Sequence, residues 1–129
     1  MLLGIKTDNP IAELYLYDGA VQIATMTWQA DRELAHHLLK KIDEFLERSG
    51  QSLDSVTGLF VFQGPGSFTG LRIGLTVMNT LSYAKSVPIV GETGENWKEA
   101  ATARLAAGEN DNVVMPFYGA DARITTPKK

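Results

Sequence analysis

The sequence contains no cysteine in 129 residues, and that removes several chemistries at once. A disulfide scaffold, a thiolate nucleophile and any zinc or iron–sulfur centre ligated by cysteine are excluded on inventory. Long apolar runs are missing too. No stretch approaches the ~20 residues that cross a bilayer, and the opening "MLLGIK" is too short for a secretory signal and lacks its basic leader. A cytoplasmic protein without membrane partners is expected. Strong charge of either sign is also absent: the formal net charge is −3 and the 12 Lys and Arg residues are scattered. Holding a nucleic acid directly needs a basic footprint, so any nucleic acid would be reached through a partner.

What is present suits one globular domain, residues 1–129, with 44% apolar residues to build a core. "LLGIK", "AELYLY" and "VQIATMTW" read as three strands, the last two joined through the turn dipeptide Asp18-Gly19. From Asp31 the period becomes helical, with Leu34, Leu38, Ile42 and Phe45 in one stripe, Leu39 and Leu46 beside it, and Gly50 as the stop. "VTGLFVF", Val56 to Phe62, is apolar without alternation, as a strand covered on both faces would be. A second helix is expected from Thr69 to Lys85. "VPIVG" follows as a short strand or extended link, "NWKEAATARLAAG" as a third helix and "NVVMPFY" as a strand. The order β-β-β-α-β-α-α-β points to a mixed sheet flanked by helices.

The stretch "FQGPGSFTGLRIG", residues 62–74, concentrates four glycines between a strand and a helix. A phosphate cradle would use backbone N–H groups at the helix start, but no Gly-Lys-Ser/Thr ending is present and the glycines at 64, 66 and 70 miss the G-x-G-x-x-G spacing. A nucleophile elbow at Ser67 would need flanking glycines where Pro65 and Thr69 stand. Gly66, Gly70 and Gly74 recur every fourth residue, which leaves a helix face open to a close backbone, belonging either to this chain's own sheet or to a second chain.

"GPGSFTGLRIG", residues 64–74, resembles the signature of the bacterial TsaB (YeaZ) family. "LLGIKTD" is similar to that family's opening strand, "SLDSVTGLFVF" to the strand before the signature, "PIVG" to the segment after it, and "GADAR", 119–123, to its following Asp-Ala-Arg. The resemblance implies a single actin-like ATPase lobe of ribonuclease-H-like topology with a five-stranded mixed sheet. It also implies a non-catalytic subunit in tRNA threonylcarbamoyladenosine synthesis. Such a subunit pairs with a TsaD-like transferase, is joined by a TsaE-like ATPase, forms a homodimer when alone and meets tRNA only indirectly.

In the family, helices one and two make the pairing surface. The residues this implies here are Gly66, Ser67, Phe68, Thr69, Gly70, Arg72, Ile73 and Gly74, with Leu34, Leu38 and Leu39 on helix one; the leucines have a second reading as ordinary core. On this view the glycine face meets a partner's helix. The family's Asp-Thr pair, which in active superfamily members faces phosphate and metal, is Lys6-Thr7 here. Lysine can still neutralise phosphate but cannot ligate magnesium, so Lys6 and Thr7 stay candidates for nucleotide contact, while ATP hydrolysis, a cofactor and a metal are not expected. The alternatives are a small actin-like nucleotide-binding ATPase or phosphotransferase, and a self-associating lobe that uses the same glycine face. The chain ends at "ITTPKK", where family members continue into a second lobe.

Other residues have plainer readings. His36 and His37 point about 100° apart on a helix and have Lys40 and Lys41 four residues on, so they face solvent. Asp43, Glu44 and Glu47 form a solvated acidic face beside Lys40, Lys41 and Arg48. Glu92 and Glu95 flank Thr93-Gly94 in a loop, and with no basic partner in view they take the plain reading rather than that of a working carboxylate pair. Trp28 and Trp97 are expected in the core. Asp121 and Arg123 follow the last expected strand, where α/β sheets place functional groups.

Overall fold

A computed structural model describes residues 1–118. Its regular elements are β1 (Leu2–Lys6), β2 (Ile11–Asp18), β3 (Val21–Gln29), α1 (Leu34–Arg48), β4 (Gly58–Phe62), α2 (Phe68–Lys85), β5 (Ile89–Glu92) and α3 (Trp97–Ala106), with single 3-10 turns before α1 and β4. The five strands form one sheet in the order β3-β2-β1-β4-β5. The N-terminal meander is antiparallel, and β1, β4 and β5 run parallel. Parallel pairs need crossovers, and α1 and α2 supply them. This is the mixed α/β class expected from the sequence.

The two faces of the sheet have different covers. On one, Leu3, Ile5, Leu14 and Leu16 meet the α1 stripe Leu34, Leu38, Ile42, Phe45 and Leu46, together with Leu75 and Met78 of α2. On the other, α3 lies over an aromatic cluster of Tyr15, Tyr17, Phe60, Phe62 and Trp97. Trp97 packs edge-on against Tyr15 and Phe62 with ring centroids 5.8 and 5.6 Å away, so the core reading for this residue holds. All five residues of β4 are buried, which accounts for its unbroken apolar run.

One expected strand is not a strand. Residues 112–118, "NVVMPFY", have no strand assignment, and the fifth strand is "IVGE", 89–92. The outward backbone of β5 is already occupied, because Asp111 N–H donates to Ile89 O (2.8 Å) and Asn110 Oδ1 accepts from Ile89 N–H (3.1 Å). The following segment turns away instead. It is pinned by Asn79, whose side chain exchanges two 2.9 Å hydrogen bonds with the Val114 backbone, and by a 2.8 Å bond from Phe117 N–H to Gln63 O.

Candidate partner interface

The glycine loop is built around the connection between β1 and β2. Ser67 caps α2, its hydroxyl accepting from Gly70 N–H, which places an N-cap where serine is favoured. Ser67 N–H donates to Asp8 O at 2.7 Å, and Thr7 Oγ1 donates to Gly70 O at 2.8 Å. These bonds draw α2 onto the hairpin. A Cβ at Gly66 would collide with Asp8, at Gly70 with the Thr7 carbonyl, and at Gly74 with the Thr7 hydroxyl. The expected close approach is therefore real, and the backbone it meets is this chain's own. The Cβ direction of each of the three is thus filled by this chain's own hairpin, while Gly66 remains exposed, Gly70 is half-buried beside the cleft where α1 and α2 begin, and only Gly74 is buried.

Lys6 and Thr7 are committed in the same way. Lys6 Nζ pairs with Asp8 at 2.6 Å, lies 4.0 Å from Glu13, and sits 4.8 Å above the Phe62 ring. Tyr15 Oη donates to Glu13; burial, and then this bond to a carboxylate, push the phenol well above its usual range. Thr7 is only 2% exposed.

What remains open is the outer side of α1 and α2. Phe68 is 55% exposed and Leu39 56%, while Leu34 and Leu38 are buried in the core. Thr69 and Arg72 are exposed and Ile73 is half-buried. The Arg72 guanidinium lies 5.1 Å from the Phe68 ring centre, and Tyr118 stacks on Phe68 at 4.8 Å. Between the helices runs a 270 Å³ groove lined by Ala35, Arg72, Ile73, Thr76 and Val77. A larger cleft of 640 Å³ lies where the two helices begin, between Arg32 and Leu34 on one side and Ser67 and Thr69 on the other. Ala35, Thr76 and Val77 were not singled out in the sequence. The i, i+4 pairs Arg72/Thr76 and Ile73/Val77 on α2, and Ala35/Leu39 on α1, are the signal that shows them, since such pairs share a helix face.

Other expected residues fall as follows. His36 is exposed, and His37 Nε2 lies 3.7 Å from Glu33. Among the described residues no three His, Asp or Glu side chains converge as a metal site. Glu92 does have a basic neighbour: Arg104 bridges it at 3.0 Å, Glu109 at 2.7 Å, and Asp111. Asp121 and Arg123 lie outside the described residues.

A single lobe of sheet and crossover helices, with a glycine-notched helix clamped to the first hairpin, defines the class as one actin-like lobe. A family model described as TsaD, tRNA N6-adenosine threonylcarbamoyltransferase, matches residues 28–94. The chain is 34% identical to the tRNA threonylcarbamoyladenosine biosynthesis protein TsaB of Haemophilus influenzae, over 74% of this chain and 38% of that protein. It is 35% identical to the tRNA N6-adenosine threonylcarbamoyltransferase of Geobacter metallireducens, over 64% of this chain and 24% of that one. The solved structure of YeaZ from Pseudomonas aeruginosa superposes with a TM-score of 0.65 at 26% identity, covering 71% of this chain and 43% of that one. The chain belongs to the TsaB (YeaZ) family. It spans less than two fifths of the length of the curated TsaB proteins from Haemophilus influenzae and Escherichia coli, 38% and 36%.

Proposed function

We propose that this chain is a non-catalytic subunit in the synthesis of tRNA threonylcarbamoyladenosine, pairing through the outer face of α1 and α2 with a TsaD-like transferase. The observation that carries the reading is the exposed apolar set Leu39 and Phe68, beside the groove floor of Ile73 and Val77. Leu34, Leu38, Ile42, Phe45, Leu46, Leu75 and Met78 of the same two helices are spent on the core. Exposed large apolar side chains next to a groove and an arginine are the composition of a partner surface. That this chain is similar both to TsaB and to TsaD proteins supports a pairing of two related lobes, each offering a helix pair.

In this reading the glycine signature acts indirectly. It seats α2 against Thr7 and Asp8, and so sets the angle at which Phe68, Arg72 and Ile73 are presented. A TsaE-like ATPase joins the assembled pair, and tRNA is met through the partner. A nucleotide-hydrolysing role would need Lys6 and Thr7 free to meet phosphate, and both are held by their own chain.

The test is titration of the chain against the TsaD-like protein of its source organism, followed by calorimetry, with Leu39→Asp and Ile73→Asp as variants. A one-to-one complex weakened by both substitutions supports the proposal. Wild-type protein that forms no complex, or variants that bind as well as wild type, would overturn it.

A further inference from the structure

Phe68, in the first turn of α2, already has company from its own chain. Tyr118 stacks on its ring with centroids 4.8 Å apart and planes 27° from parallel, and the Arg72 guanidinium lies 5.1 Å from its centre. Tyr118 is carried there by a strap, residues 112–118, that follows Asp111 beside β5 and runs back past the C-terminal ends of β5 and β4. Two glycines make room for it. A Cβ at Gly91 would collide with Val114, and one at Gly64, whose φ is +124°, with the Phe117 carbonyl. The strap is a fitted part of the fold.

Its attachment weakens along its length. Val114 is 2% exposed and holds both hydrogen bonds of Asn79. Met115 O accepts from Gln63 Nε2 at 2.9 Å, and Phe117 N–H donates to Gln63 O at 2.8 Å. Beyond that last pin Tyr118 makes no hydrogen bond among the described residues, and the strap stands off α2 across a 350 Å³ space whose walls include Arg72, Thr76, Met115 and Tyr118. The stack on Phe68 is what holds the Tyr118 ring down.

We infer that the stack of Tyr118 on Phe68 is an autoinhibitory contact: closed, it occupies a ring face that the transferase needs, and the partner binds once Tyr118 has swung away. The inference rests on the proposed function and adds the regulation of that surface. Broad aromatic faces are the area that anchors an interface, and here one is spent inside the chain. A single stacked pair favours the closed form by only about two- to tenfold. A partner that binds the open form alone therefore meets an apparent dissociation constant raised by a similar factor.

The test compares wild type with Tyr118→Ala and Tyr118→Phe in calorimetric titrations against the TsaD-like protein of the source organism. Tyr118→Ala should tighten binding about three- to tenfold, and Tyr118→Phe, which keeps the stack, should bind as wild type does. Binding of Tyr118→Ala equal to wild type would overturn the gate, and weaker binding would overturn it by making Tyr118 part of the partner surface. In both cases the wild-type complex leaves the proposed function standing. The absence of a wild-type complex would overturn the proposed function and the gate with it. The free chain supplies a readout without the partner: amide exchange at Phe117, next to the ring, should quicken in Tyr118→Ala and not in Tyr118→Phe. Exchange unchanged in both variants would overturn the closed contact.

Discussion

At the residue scale the glycines of the signature have definite occupants. Gly74 faces the Thr7 hydroxyl and Gly70 the Thr7 carbonyl, so an added methyl must push the hairpin and α2 apart. Overpacking of this kind costs about 1–3 kcal/mol. Gly74→Ala is expected to lower the urea unfolding midpoint accordingly, and an unchanged midpoint would mean the hairpin yields freely. Ser86 offers the opposite case. It ends α2 in the left-handed region, with φ 57° and ψ 45°, a place where glycine is favoured. Relief of the left-handed penalty, about 1–2 kcal/mol for a residue with a Cβ, exceeds glycine's extra chain entropy, so Ser86→Gly should raise the melting temperature.

At the scale of elements, Arg104 ties α3 to β5 and to the turn at Glu109–Asp111. Burial raises the Asp111 carboxyl, but the Arg104 hydrogen bond, the Gly91 N–H and the arginine charge outweigh it, and the net shift is downward from 3.8. A depressed folded value means that this contribution is present above the ordinary aspartate range and is lost as pH falls through the folded value. With both side chains partly exposed, the contribution is about 1 kcal/mol. Asp111→Asn should therefore cost stability at pH 7 and little at pH 2, measured by urea unfolding at both; equal losses would place the effect elsewhere.

β2, β3 and α1 were legible because each carries a clean period, alternation in the two strands and a one-faced leucine stripe in the helix, while β1 and α2 were placed by an apolar run and by the glycine loop before the helix. Residues 112–118 misled for a physical reason. Their apolar run has the composition of a strand, but a strand also needs a free edge, and Asn110, Asp111 and Arg104 had already filled it. The glycine spacing was legible as a close approach and silent on its partner, because four-residue spacing describes only the helix that carries it. Thr7 and Asp8 lie some sixty residues earlier, and only the fold brings them under α2. Leu39 lies just off the apolar stripe of α1, and sequence alone could not place it outside the core.

At the scale of the whole molecule, one side of the sheet carries α3 over an aromatic cluster and the other carries α1 and α2, whose outer surface keeps Leu39 and Phe68 in solvent. The central claim is that this surface, and not the glycines themselves, meets the transferase. Leu39 contributes little to the core, so Leu39→Asp should leave the melting temperature within about 3 °C of wild type, since exposed substitutions change stability by under ~0.5 kcal/mol. The most direct measurement is light scattering after size exclusion on the chain mixed with the TsaD-like protein of its source organism, comparing wild type with Leu39→Asp. The account predicts a one-to-one complex for wild type and separate peaks for a variant that melts normally. A folded variant that still co-elutes in full would contradict it.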